Sequence, residues 1–210
     1  MENFIFPKRL EKQLKDFIDC PESIPNILCF YGIPAQGKTS FAKYLAKNVA
    51  NEVNYFDANS HSIETHDASY VAKEINRMNR YRSFNWDADR EFDKSFIIDE
   101  WHNYSEQRQD SYKILFDEII DVDKIRDTRS LVVICLNTDD KKTIKKVLSP
   151  AIYSRCHPIR FDILVSDVED IIERASKIFP ELEPEVIRKN IPDWRAINRA
   201  SQILKRRVAM

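Results

Sequence analysis

The sequence predicts an α/β domain built on a parallel sheet and followed by a small all-helical unit. Three observations carry that prediction. Short apolar runs such as Ile27–Tyr31 and Leu131–Leu136 lack polar alternation, as strands buried on both faces do. Between such runs lie stretches with apolar residues three and four apart, the period of helices packed against a sheet. From Ser166 onward the strand-like runs stop and only helical periodicity remains.

With 210 residues, 43% hydrophobic and 32% charged, the chain can bury a sizeable core as one large or two small units. Lys and Arg total 33 against 34 Asp and Glu, so any basic surface for nucleic acid must be local. No apolar run approaches the ~20 residues of a membrane span. Met1-Glu2-Asn3 opens no signal peptide, so a cytoplasmic protein without membrane contact is expected. Cys20, Cys29, Cys135 and Cys156 lie far apart without a C-x-x-C pair and read as reduced core thiols.

In chain order, residues 2–19 carry Phe4, Phe6, Leu10, Leu14 and Phe17 mostly at helical spacing, with Pro7 where a helix can begin. This reads as a helix packed near the site that follows. After the strand Ile27–Tyr31 comes Gly32-Ile33-Pro34-Ala35-Gln36-Gly37-Lys38-Thr39, which fits G-x-x-x-x-G-K-[ST] without a mismatch. Phe41, Leu45 and Val49 then recur at helical spacing, so the motif sits between strand and helix as its chemistry requires. Backbone N–H groups of such a loop form an anion nest at a helix N-terminus. Lys38 would reach the β- and γ-phosphates of a nucleotide, and Thr39 would take a position on Mg²⁺. With Ser40 next in line, residues 32–40 form the expected ATP-binding set. The chain has only two glycines, and both are here.

Residues 53–59 read as a second strand, and 67–82 as a polar helix with Lys73, Arg77 and Arg80 on one face. That face would suit phosphates or simply be solvated, because Glu74, Asp87, Asp89 and Glu91 dilute its charge. Ser95-Phe96-Ile97-Ile98-Asp99-Glu100 is an apolar strand ending in paired carboxylates. After a phosphate loop, Asp99 is placed to hold Mg²⁺ and Glu100 to polarise the attacking water. A helix over 105–121 follows, and the strand of residues 131–137 ends in Asn137, either a turn residue or one that orients water and senses the γ-phosphate. Ser149 caps a short helix from Pro150 to Ser154-Arg155-Cys156, and residues 159–161 form the last strand. Ser166-Asp167-Val168-Glu169 reads as a capping box, with further helices over 183–190 and 193–208.

The phosphate loop, Ile97-Ile98-Asp99-Glu100, the strand ending in Asn137, Ser154-Arg155-Cys156 and the helical tail together resemble the AAA+ ATPases. Within them, the Ser-Arg-Cys triplet is similar to that of clamp-loader small subunits of tailed-phage and replication-factor-C type. The resemblance implies a P-loop NTPase domain over 1–161 and a helical lid over 162–210. It implies that Arg155 is a finger reaching the ATP of a neighbouring AAA+ subunit, and that Arg195, in Ile191-Pro192-Asp193-Trp194-Arg195, contacts the γ-phosphate in cis. ATP and Mg²⁺ are the implied ligands; DNA held by its backbone, a sliding clamp or a replicative helicase are the implied partners. The sequence departs from the family at Ala35, where a second Gly is common, at Trp101-His102 after the carboxylates, and in the helical collar, which does not follow within the 210 residues. A helicase loader or other remodeller would share every nucleotide residue. A non-hydrolysing binding subunit would have less use for both Asp99 and Glu100.

Overall fold

A computed structural model describes residues 4–59, 68–83, 87, 89–122, 129–138 and 144–208. Strands β1 (Ile27–Gly32), β2 (Ala50–Asp57), β3 (Phe92–Asp99), β4 (Arg129–Asn137) and β5 (His157–Arg160) form one parallel sheet in the order β2-β3-β4-β1-β5. The helices are α1 (Lys8–Asp19), α2 (Lys38–Val49), α3 (Ala68–Asn79), α4 (Glu106–Asp110), α5 (Lys113–Val122), α6 (Pro150–Tyr153), α7 (Val168–Ile178), α8 (Pro184–Asn190) and α9 (Trp194–Val208).

The unbroken apolar strands are explained by what covers them. Leu28 and Phe30 of β1, with Val133 and Cys135 of β4, face α1 and α2 through Leu14, Phe41 and Leu45. Ile27 and Cys29, with Val132 and Ile134, face α3 and α5 through Val71, Ile75, Leu115 and Phe116. Both faces are therefore dry, as a parallel sheet requires. A third apolar cluster, Ile171, Ile172, Ala175, Leu182, Ile187 and Ile197, joins α7, α8 and α9 and takes in Ile5 from the start of the chain.

Several boundaries differ from the sequence reading. The strand expected to begin at Ser95 starts at Phe92, because Asp93 and Lys94 are buried as a pair rather than exposed. Asp93 also accepts from the Ser83 backbone N–H at 2.9 Å. The single helix expected over 105–121 is two, since the Ser111 and Tyr112 N–H groups bond to carbonyls three residues back instead of four. The cap ahead of α7 is not built on Ser166: Asp167 Oδ2 accepts from Leu164 N at 2.8 Å, and Val165–Asp167 form a 3₁₀ turn. All four thiols are free, with Cys29 and Cys135 in the core, but Cys20 is exposed at the end of α1 and is not a core residue. Residues 1–3, 67, 209 and 210 of the sequence reading lie outside the described residues.

β1 stands between β4 and β5. The chain leaves β1 toward the β2 edge and leaves β4 toward the β5 edge, so the two exits diverge. A crevice opens outside the carboxyl ends of the strands where such a reversal occurs.

Candidate functional site

The loop between β1 and α2 is shaped by its two glycines. Gly32 (φ 147°) lies so close to the backbone after β5 that an added Cβ would sit 2.0 Å from the Phe161 carbonyl oxygen. Gly37 takes φ 83° immediately ahead of α2. Ala35 also adopts a left-handed conformation, φ 64°, so the loop keeps its turn there without a third glycine, at a cost of about 1 kcal/mol. The buried Lys38 Nζ donates to Gly32 O at 3.0 Å and Ile33 O at 2.7 Å. Burial lowers its pKa from 10.5 to about 8; Arg195 acts in the same direction, while Asp99 and Glu100 oppose the shift.

Asp99 ends β3 and is nearly buried. Its Oδ2 accepts from the Tyr55 hydroxyl at 2.9 Å and its Oδ1 from the Glu100 backbone N–H at 2.9 Å. Burial, and then the charge of Asp99, raise the Tyr55 pKa well above its ordinary value. Successive side chains of a strand point to opposite faces, but Glu100 leaves β3 with φ 54°. That left-handed step brings both carboxylates to one cavity instead of two faces. Asn137 Nδ2, at the end of β4, donates to Glu100 Oε2 at 3.2 Å.

Residues Pro34 to Ser40, Asp99, Glu100, Asn137 and, from α9, Trp194, Arg195 and Asn198 line one cavity of about 180 Å³. Of the sequence-predicted residues, only Gly32, Ile33 and Arg155 are absent from its wall; the first two support it through their carbonyls. Arg155 is held elsewhere, by Asp117 on α5: Nε lies 2.6 Å from Oδ1 and Nη2 2.9 Å from Oδ2. Lys73, Arg77 and Arg80 do share a groove between α3 and α5, but Arg77 is already engaged by Glu74 at 3.0 Å.

A second cavity of about 340 Å³ opens beside the first and shares Gln36, Gly37, Ser40, Trp194 and Asn198 with it. Its apolar wall comes from Phe4, Phe6, Ile178 and Phe179. The sequence reading counted Phe4 and Phe6 among residues mostly at helical spacing, with the helix able to begin at Pro7, as it does. Both lie in the extended segment before α1, where Phe6 stacks on Phe4 and meets Phe41 and Phe161 edge-on. Two phenylalanines ahead of Pro7 were the available signal, because a proline favours extended backbone in the residue before it.

The materials of a phosphate site are all present: a left-handed glycine before a helix, a buried lysine, and a hydroxyl and two carboxylates opposite it. The buried Gln36 Oε1, without a hydrogen-bond partner among the described residues, adds an unsatisfied acceptor at the wall common to both cavities. Together with the sheet order, these features define a P-loop nucleoside triphosphatase. Residues 28–161 match the ATPase family associated with various cellular activities (AAA), and the chain belongs to that family of ATPases. No curated protein matches the chain. Among solved structures, a replication initiator DnaA bound to AMPPCP and single-stranded DNA is similar at 16% identity and TM-score 0.65, over 97% of this chain and 63% of that one. The Aeropyrum pernix ORC1 protein in complex with DNA is similar at 16% identity and TM-score 0.59, over 98% and 62%. The Thermotoga maritima RuvB Holliday junction branch migration motor is similar at 17% identity and TM-score 0.57, over 94% and 61%. These likenesses show the fold, and the chain spans less than two thirds of each of those proteins. Among the described residues, no helix is long and apolar enough to cross a membrane.

Proposed function

We propose that the protein is an ATP-hydrolysing AAA subunit of a DNA-replication machine, of clamp-loader type, with residues 1–161 as nucleotide domain and 162–210 as lid. The observation that carries this reading is the convergence of Lys38, Thr39, Asp99, Glu100, Asn137 and Arg195 on one cavity beside a second pocket of about 340 Å³ with phenylalanines in its wall.

In this reading the backbone of residues 32–40 and Lys38 hold the phosphates, while the Phe4–Phe6 segment and Phe179 enclose the base. Thr39 and Asp99 would hold Mg²⁺, which when bound neutralises charge developing on the phosphoryl group. Glu100 takes the proton of the attacking water, Asn137 orients that water, and Arg195 reads the γ-phosphate from within the subunit. Arg155 serves the ATP of a neighbouring subunit. The cargo is a sliding clamp or replicative helicase, and DNA is held by its backbone through the α3 face.

Parallel measurements on Lys38→Ala and Glu100→Gln test the assignment. Lys38→Ala abolishes tight ATP binding, because the cation fixed in the loop is gone. Glu100→Gln keeps binding and loses about 10²- to 10⁴-fold in turnover, as removal of a positioned base does. Equal loss of binding in both variants would overturn the roles given to the two residues.

A further inference from the structure

Directly after Glu100 the chain forms a 3₁₀ turn, Trp101–Asn103, closed by Asn103 N to Glu100 O at 2.9 Å and Tyr104 N to Trp101 O at 3.0 Å. Trp101 is fully buried and packs on Tyr104, Tyr112 and Phe116 at ring distances of 5.3, 4.7 and 6.2 Å. That anchor fixes the turn, and the turn aims the next side chain, His102, back at the site. The His102 Nε2 lies 3.3 Å from Glu100 Oε2, and Nδ1 accepts the Asn137 backbone N–H at 3.3 Å. A neutral imidazole has one donor and one acceptor nitrogen. Since Nδ1 faces an N–H, the proton belongs on Nε2, where it points at the carboxylate.

We infer that His102 is a positioning residue for hydrolysis, one that keeps the Glu100 carboxylate in place by bracing it against the end of β4. The inference rests on the proposed role of Glu100 and adds a second residue to it. In the structure Glu100 Oε2 faces two donors, Asn137 Nδ2 at 3.2 Å and His102 Nε2 at 3.3 Å. Asn137 has two amide hydrogens, and turning one of them to a γ-phosphate leaves it at most one for Glu100. When it turns to the nucleotide, His102 remains as a donor that fixes the base. The imidazole also bonds the main chain of Asn137, so the two ends of β3 and β4 stay in register while that amide changes partner.

Glutamine and asparagine separate the two contacts. A glutamine amide nitrogen stands near the position of Nε2, whereas an asparagine amide stands near Nδ1. ATP affinity and steady-state turnover are measured for wild type, His102→Ala, His102→Gln, His102→Asn and Glu100→Gln, with thermal midpoints recorded for each. His102→Ala and His102→Asn are expected to lose about tenfold to a hundredfold in kcat, the range for removed supporting partners, with ATP affinity unchanged. His102→Gln restores most of the rate, and the midpoints stay together. Turnover in His102→Ala equal to wild type, ATP affinity falling in step with rate, or Asn and Gln variants behaving alike would each overturn the inference. Turnover that survives in Glu100→Gln would instead overturn the role of Glu100 itself.

Discussion

The guanidinium of Arg155 lies flat against the carboxylate of Asp117, with a third donor, Nη1, on the Ala151 carbonyl at 2.7 Å. The residue proposed to act on a neighbour's nucleotide is therefore tied down within its own subunit, across α5 and α6. The pairing lowers the Asp117 pKa and raises that of Arg155.

A trans role predicts complementation. Arg155→Ala binds ATP as wild type does but loses the hydrolysis stimulated by assembly, an effect of about 10³ to 10⁵ for a donated arginine. Mixing it with Lys38→Ala returns activity, because the Lys38→Ala subunit still lends its Arg155. No rescue in a demonstrably mixed assembly would leave Arg155 as the partner of Asp117 alone. Asp117→Asn, which loosens the clasp, is expected to raise turnover of the assembled protein.

Lys38 predicts a pH dependence. Its folded pKa of about 8 lies below the ordinary 10.5, so burial of the charged amine costs stability below pH 8. That cost is relieved as pH rises toward 10.5, because the unfolded chain then binds more protons than the folded one. Nucleotide phosphates favour the charged form, so ATP affinity falls as pH rises through 8, and binding near pH 8.5 takes up a proton. Calorimetry in buffers of different ionisation enthalpy reads that uptake directly. A flat affinity between pH 7 and 9.5 would contradict it.

Gly32→Ala is expected to prevent folding or cost several kcal/mol, since its Cβ would meet backbone rather than a movable side chain. Chemical denaturation measures this. Gly37→Ala meets only the Phe6 ring, at 3.6 Å. It is strained by its φ of 83° alone, at about 1 to 2 kcal/mol.

On the α3 face, Lys73 and Arg80 are expected to carry more DNA affinity than Arg77, which Glu74 already occupies. Replacing Lys73 and Arg80 with Ala should lower the slope of log affinity against log salt by about two, near one for each phosphate left without its cation. Anisotropy titrations of labelled duplex across salt concentrations give that slope. An unchanged slope would make the face a solvated one.

Much of this was readable from residues because it depends on short-range pattern. The phosphate loop, the strand ending in Asp99-Glu100 and the fully apolar β1 and β4 each announce themselves within ten positions. What stayed hidden depends on partners distant in the chain. Asp93 and Lys94 look like surface residues until Ser83 and the Tyr81 carbonyl bury them. The bracing of Glu100 joins His102 to Asn137, 35 positions apart. No periodicity marks the left-handed step at Glu100, although it is what brings two adjacent acids to one cavity.

The Trp194 backbone N–H, shared with Pro192 O, also reaches the Ala35 carbonyl at 3.3 Å. The root of α9 is thus fastened to the loop that meets phosphate, while the rest of that 15-residue helix extends away from it. At 1.5 Å per residue it is about 22 Å long, so a tilt of about 5° at its root carries its far end by roughly 2 Å. A shift of the Ala35 carbonyl would therefore act at the root of α9 and move the outer end of that helix the most.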